Sequence, residues 1–407
     1  MPGQMDPRRL RDDFPIYQSE EKDVIYLDNA CQTFRPRQVI EAMNEYYELY
    51  PACGGRSVHR LATQVSIKVD EAREKMARFI GCSDPSCIVF TKNCTEALNM
   101  VAKGYPFTKG DVVLTTDMEH NSNHVPWLQM AKHCGIQHRY VRTPASGLFD
   151  IGAFRTELAK GVKMVSMVHT NNVTGTTIPA EEVIAETHER GAVVLLDAAQ
   201  SAPHRAIDVE GMDVDILTLS AHKMLGPAGM GVLYAKKDIL EKIEPLIGGG
   251  GGVGLTDYEH VEFLPPPERL ESGLLNYSGA IGTGAAVDYL TAIGMEEVEE
   301  HERRLNAIVT EGLGAMEEIS VLPPRDPRLR SGIFSFNVRG MTSHDVAMIL
   351  DEMAKVLIRS GMHCVHPYFL SRKIDGCARA SFYVYNTEEE ARRLVDVVRE
   401  MVSTFSS

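Results

Sequence analysis

Between residues 88 and 223 the chain repeats one arrangement, a short apolar run that stops at a polar, chemically capable side chain. Residues 88–91 (Ile-Val-Phe-Thr) lead through Asn93 and Cys94 to Thr95, residues 112–114 to His120, residues 164–168 to Asn172, residues 193–196 to Asp197, and residues 217–219 to Lys223. Runs without polar interruption mark strands buried on both faces, which is the condition of a parallel sheet. Helical segments such as Ala-Leu-Asn-Met-Val-Ala-Lys-Gly-Tyr (97–105) separate them, which gives the βαβ alternation of an α/β domain. In open α/β sheets, ligands bind at the carboxyl ends of the strands. Each polar tip has an ordinary explanation when taken singly: Thr95 or Asp197 as a helix cap, His120 as a solvated loop residue, Lys223 as a surface lysine. Together on one rim they are hard to explain as caps.

The acid and the amine in this set are complementary. A pyridinium nitrogen needs an acidic partner and its aldehyde needs an amine, so Asp197 and Lys223 at two strand ends point to pyridoxal phosphate. A strand that feeds small polar residues into a helix start, as at Cys94 and Thr95, makes an anion site from free backbone amides and the helix dipole. An imidazole at the rim, His120, is placed to stack on an aromatic ligand.

Length and composition narrow the remaining classes. At 407 residues, 44% hydrophobic and 24% charged, the chain has room for about two domains. No apolar run approaches the ~20 residues of a membrane span and the N-terminus lacks a signal-peptide core, so a cytoplasmic protein without membrane partners is expected. The net charge of −14 disfavours nucleic acid as a partner. Eight cysteines, at 31, 53, 82, 87, 94, 134, 364 and 377, include no CxxC pair, so neither a metal site nor a disulfide framework is signalled.

We expect residues 1–22 to pack with a small domain, residues 23–280 to form the large domain, and residues 281–407 to form the small α/β domain. Glycines 248–252 and prolines 265–267 bracket a flexible, solvent-facing stretch; no Lys-Ser/Thr follows, which argues against a phosphate loop. Residues 279–309 read as one long helical segment. In the small domain, IRSGMHCVHPYF and CARASFYVYN would bring Arg359, Cys364 and Arg379 to the sheet rim if the loop folds back. His363 and His366 flank Cys364 and would favour its thiolate. A buried structural cysteine is the ordinary alternative, but glycine and proline on both sides favour a loop.

The ordered set DFPIY, YLDNA, VHR, TEALN, MEH with VPW, NNVTGT, DAAQ, SAHK, RLESG, RSGMHC and RAS with YNT resembles the class V, fold-type I pyridoxal-phosphate enzymes. Within them it is most similar to the Suf-type cysteine desulfurases, also called selenocysteine lyases. The likeness runs from about residue 13 through the closing helix. It implies a large domain with a mostly parallel seven-stranded sheet flanked by helices, a smaller C-terminal α/β domain, and a homodimer. By resemblance, Lys223 is the Schiff-base lysine, Asp197 the pyridinium partner, Gln200 the donor to the phenolic oxygen and His120 the stacking ring. Thr95, Ser220, His222 and the Cys94 amide would hold the phosphate. Asn172 would lie near the phenolic oxygen and the substrate carboxylate, Arg379 with Arg359 nearby would take that carboxylate, and Cys364 is the nucleophile for sulfur. The implied reaction converts L-cysteine, and by the family's second name L-selenocysteine, to L-alanine, leaving a persulfide on Cys364 for a sulfur acceptor or scaffold protein of iron-sulfur assembly. A β-lyase, an aminotransferase, or a non-catalytic assembly partner are the alternatives. The chain departs from the family where Leu274 replaces a threonine that reaches the neighbouring subunit's phosphate, and where Asn93-Cys94-Thr95 replaces Gly-Thr-Thr.

Overall fold

A computed structural model describes residues 5–405. Its centre is a seven-stranded sheet: β1 (Ile88–Thr91), β2 (Val112–Thr116), β3 (Gln137–Val141), β4 (Met164–Val168), β5 (Val193–Asp197), β6 (Ile216–Ser220) and β7 (Gly231–Ala235). The spatial order is β1-β7-β6-β5-β4-β2-β3, and only β7 runs antiparallel to its neighbours. The uninterrupted apolar runs of the sequence divide between two cores by the two-residue period of a strand. Phe90, Leu114, Val165, Met167, Leu196 and Leu219 enter one core, and Val89, Val113, Met164, Leu195 and Leu233 enter the other. The first face is covered by helices Arg60–Phe79 and Tyr277–Ile293, the second by Cys94–Gly104 and Asn121–His133. Burying a Leu, Val or Met side chain of this kind contributes about 1.5–3 kcal/mol each.

The single helical segment expected over residues 279–309 is two helices, Tyr277–Ile293 and Met295–Gly314. Gly294, at φ 90°, breaks them; that conformation is open to glycine and costly for other residues. The first helix lies wholly in the larger core. The second crosses between cores, with Met295 and Val298 in the larger and Leu305, Val309 and Leu313 in the smaller. The cores therefore part inside this helix and not at residue 280. The N-terminal segment packs on the small domain, where Arg11 donates to Tyr385 O at 2.8 Å and pairs with Glu390, and it also enters the larger core. Phe14 packs in the larger core, edge-on to Tyr289 and Tyr385, whereas Ile25–Tyr26 pairs with Val356–Leu357 and Leu27 enters the smaller core. The amides of Ile25 and Leu27 reach Lys355 O and Leu357 O at 2.9 and 2.8 Å.

The smaller sheet comprises β8 (Ile319–Val321), β9 (Ile333–Val338), β10 (Arg359–Gly361) and β11 (Cys377–Ser381), ordered β8-β9-β11-β10 and antiparallel throughout. The stretch after the glycine run is exposed, as expected, but is organised as a hairpin of Val253–Thr256 with Val261–Phe263. Gly273 N donates to Gly250 O at 2.6 Å, which joins the hairpin base to the Ser272–Leu275 loop. No helix among the described residues is long and apolar enough to cross a membrane.

Candidate active site

Lys223 ends a single 3-10 turn, Ala221–Lys223, that follows β6. The turn is tight because Gly226 packs back on Ala221, where an added Cβ would come within 2.9 Å of the Ala221 carbonyl oxygen. Thr33 clamps it from the N-terminal segment: its amide donates to His222 O at 3.0 Å and its hydroxyl accepts from Leu225 N at 3.0 Å. Burial lowers the Lys223 pKa, with Asp197 and Cys94 acting in the opposite direction and Arg379 adding to the lowering. That environment favours the neutral, nucleophilic amine.

Asp197, 3% exposed, closes β5. Its Oδ1 accepts from Ala199 N at 2.9 Å and from Cys94 Sγ at 3.2 Å. Burial first and the Asp197 charge second push the Cys94 thiol well above its ordinary pKa, so Cys94 is a neutral donor that fixes the carboxylate. Sequence reasoning had used only its amide, which donates to Ser220 Oγ at 2.9 Å. The cap of helix Cys94–Gly104 is Asn93, whose side chain accepts from Glu96 N. Thr95 is thereby left to pair its hydroxyl with Ser122 Oγ at 2.7 Å. Ser122 also meets His120 Nδ1 at 2.9 Å, so Thr95, Ser122 and His120 form one hydrogen-bonded string.

His120 caps helix Asn121–His133 by accepting Ser122 N at Nδ1. Burial, then the positive charges of Lys223, Arg379 and Arg359, bring its pKa down to about 3, so the ring is neutral. The preceding Glu119, which sequence reasoning passed over, holds it there. This carboxyl is 1% exposed and accepts from Thr116 N and Oγ1 on one oxygen and from Asn123 Nδ2 and Val168 N on the other. Asn123 in turn accepts from Trp127 Nε1 and Ser166 Oγ. The network ties the tips of β2 and β4 to the helix that His120 begins. Burial pushes the Glu119 pKa up to about 8 against those hydrogen bonds. Glu119→Gln turns an amide nitrogen toward donors whichever way it is placed, so we expect a loss of about 1–3 kcal/mol, read as a lowered midpoint in urea unfolding. A midpoint equal to wild type would show that the donors are not needed.

The small domain closes the rim from the other side. Arg359 of β10 and Arg379 of β11 are direct cross-strand partners. Like charges so placed repel, and Asp28 lies between them, with Oδ1 3.0 Å from Arg379 Nη2 and Oδ2 3.4 Å from Arg359 Nη1. Arg379, 2% exposed, also donates to Asn172 O at 2.9 Å, and its Nε has no protein partner. Two guanidinium groups with one carboxylate leave a net positive charge suited to a further carboxylate.

Cys364 is exposed on the loop before helix His366–Arg372. His363 and Cys364 both have left-handed backbones, at φ 48° and 60°. Cys364 O accepts from Asn121 N at 2.7 Å and His363 O from Asn172 Nδ2 at 2.9 Å, which holds this costly conformation against the large domain. One expectation is corrected: burial, then Arg379, brings the His363 pKa down to about 3, and its Nε2 engages Cys377 O at 3.0 Å. His363 therefore offers Cys364 no positive charge. His366 Nδ1 is occupied by Asn121 Nδ2 at 2.8 Å. Cys377 is fully buried and packs with Met118, Val173 and Phe369, away from the rim.

Twelve residues singled out from the sequence line one cavity of about 230 Å³, namely Cys94, Thr95, His120, Asn172, Asp197, Gln200, Ser220, His222, Lys223, Arg359, Cys364 and Arg379, whereas His366 and Leu274 do not. Cys31, Ser122 and His363 line it too. Buried polar atoms there lack protein partners, among them Gln200 Oε1, Asn172 Oδ1 and Arg379 Nε. Such atoms are expected to meet a polar ligand or water. Gln200 gives one amide proton to Ala30 O at 2.6 Å and keeps the other. An amine and an acid across an apolar floor, an anion-accepting helix start and a thiol at the mouth together suit an anionic aromatic aldehyde.

The aminotransferase class-V family model matches residues 25–394. A probable cysteine desulfurase of Pyrococcus abyssi is 40% identical over 404 residues, spanning 98% of this chain and 99% of its own. A cysteine desulfurase of Haloferax volcanii is 37% identical, with 97% and 96% covered. Among solved structures, the apo cysteine desulfurase from Thermococcus onnurineus NA1 superposes with a TM-score of 0.94 at 37% identity, covering all of both chains. A cysteine desulfurase of Escherichia coli, solved as its S-sulfonic acid, gives 0.91 at 30% identity, covering 99% of this chain and 100% of its own.

Proposed function

The chain belongs to the class-V aminotransferase family, and from that we propose that it is a pyridoxal 5'-phosphate-dependent cysteine desulfurase, converting L-cysteine to L-alanine and carrying the sulfur on Cys364. The observation that carries the reading is the Cys364 thiol at the mouth of the cavity that holds Lys223 and Asp197. When bound, the cofactor supplies an electron sink for the substrate carbanion.

The chain's own residues do the rest. Lys223 would hold the cofactor through its amine, and the same amine, its pKa lowered by burial, is placed to carry a proton at the substrate Cα. Asp197, whose Oδ1 is fixed by Cys94 and Ala199, would hold a ring nitrogen of the cofactor in its protonated form. The neutral ring of His120 would stack on the cofactor without adding charge. Gln200 and Asn172 would serve the phenolic oxygen and Thr95, Ser220 and His222 the phosphate, with the Cys94 amide, given to Ser220 Oγ at 2.9 Å, orienting that hydroxyl. Arg379 and Arg359 take the substrate carboxylate beside Asp28. Cys364, on a loop fixed through its backbone, attacks the substrate sulfur with its side chain free.

Incubation with cysteine under reductant tests the reaction: equal alanine and sulfide are expected, whereas pyruvate would indicate a β-lyase and a keto acid an aminotransferase. Asp197→Asn is expected to bind cofactor yet lose about a hundredfold or more in turnover, which corresponds to about 2.7 kcal/mol of barrier, because an amide cannot hold the nitrogen protonated. Near-wild-type alanine formation would remove the electron-sink role of Asp197.

A homodimer belongs to the same reading. Leu255, Tyr258, Val261 and Leu274 are exposed on the hairpin and the adjoining loop, an apolar surface of the kind that marks an interface. Light scattering should give twice the chain mass; a monomer would exclude the arrangement. The persulfide is handed to an acceptor or scaffold protein of iron-sulfur assembly, and selenocysteine is the second substrate to assay.

A further inference from the structure

The cavity contains a thiol that the reaction above does not use. Cys31 lines it together with Cys364 and Cys94, but Cys94 is committed to Asp197 and stays protonated. Cys31 differs in every respect that matters for sulfur chemistry. It is partly exposed, and its Sγ lies 2.8 Å from Arg359 Nη1. A guanidinium only donates, so the sulfur is held as an acceptor beside a fixed positive charge. Burial lowers the Arg359 pKa, but Cys31, Asp28 and Cys364 raise it to a net increase; both thiols thus lie in the field of the same cation.

The backbone at Cys31 is pinned by hydrogen bonds. It sits in a turn closed by Cys31 N to Asp28 O at 3.1 Å. The fully buried Asn29 anchors that turn to Ser381 O at 2.7 Å, and Ala30 N donates to Ser381 Oγ at 2.9 Å. Cys364, by contrast, is exposed on a loop whose bonds to the large domain run through the carbonyls of His363 and Cys364 and make no use of the thiol.

Resting on the desulfurase reading, we propose that Cys31 is a second sulfur-carrying residue of the site, taking the sulfane sulfur from Cys364 and sheltering it beside Arg359. The Cys31 thiolate attacks the outer sulfur of the Cys364 persulfide. The bond between Cys31 and that sulfur forms, the bond from it to Cys364 breaks, and Cys364 leaves as a thiolate that takes up the proton Cys31 gave up. No external oxidant or reductant is required, because the sulfane sulfur keeps its oxidation level. Cys364 is then free for a second substrate, so one chain holds two sulfurs.

The test is a single exposure of the cofactor-loaded enzyme to a few equivalents of cysteine without reductant, followed by acid quench, alanine quantitation and peptide mass spectrometry. We expect a gain of about 32 Da on both the Cys31 and the Cys364 peptide. The alanine burst should fall about twofold in Cys31→Ala and in Cys31→Ser, since one carrier is lost. In Cys364→Ala the Cys31 peptide should stay unmodified, because its sulfur arrives through Cys364. Sulfur on Cys364 alone with equal bursts in wild type and both Cys31 variants would overturn the proposal, as would two sulfurs chained on Cys364. Absence of alanine and of any added sulfur in the wild type would instead overturn the desulfurase reading, and the proposal with it.

Discussion

Lys223→Ala is expected to reduce alanine release from cysteine by more than about a thousandfold, since one residue is both the covalent anchor and the proton carrier. It should also abolish borohydride-reducible attachment of the cofactor. No other lysine lines the cavity, so nothing nearby can substitute as the amine. The fold should survive. The turn around position 223 is held by Thr33 to His222 O and Leu225 N and by Gly226 against Ala221, and none of these contacts uses the lysine side chain. Removing a buried amine that bears a desolvation cost should leave the urea midpoint unchanged or raised. Intact-mass analysis after borohydride treatment reads the result: retention of a cofactor adduct in the variant would show that another residue is the anchor.

What the sequence made legible was whatever one residue's chemistry and one strand's periodicity determine. Apolar runs located β1, β2, β4, β5 and β6, and their polar tips converge on one cavity because the strand ends share a rim. The edge strand β3, Gln-His-Arg-Tyr-Val, was not legible, because one side of it has no neighbour and most of its side chains are half-buried or exposed. The break at Gly294 was hidden by apolar periodicity on both sides of it. The site residues that escaped notice are those whose role is relational. Glu119 matters through four donors brought from three segments. Asp28 matters because two arginines face each other across β10 and β11. Ser122 matters only as the bridge from Thr95 to His120. For His363, next to Cys364, the sequence pointed the wrong way. Adjacency suggested cations, but burial makes His363 neutral, and the positive charge at the mouth comes from Arg359, which lies across the pocket on β10.

Cys364→Ala is expected to leave cofactor binding intact and to cut alanine formation from cysteine by about a hundredfold or more, about 2.7 kcal/mol in the barrier. The two effects separate because Cys364 shares no side-chain contact with the anchoring residues. Lys223, Asp197 and Arg379 are positioned by Thr33, Cys94 and Asp28. The loop itself is held by Asn121 to Cys364 O and by Asn172 to His363 O, bonds that alanine at 364 preserves. Its left-handed φ of 60° is no worse for alanine than for cysteine, since both carry a Cβ. The variant should therefore keep the visible absorbance of the bound cofactor and shift it on adding cysteine. Carbon–sulfur cleavage should nevertheless stall, for want of a thiolate to receive the sulfur. Selenocysteine should lose far less, because a selenol departs more readily than a thiol and needs less help from an attacking nucleophile, so the ratio of the two rates is the diagnostic. Cys377→Ala serves as the control: its thiol is buried away from the cavity, and its removal should leave alanine formation from both substrates intact. Alanine formation from cysteine at the wild-type rate in Cys364→Ala would mean that sulfur leaves without this residue, and would return the chain to the β-lyase or aminotransferase readings.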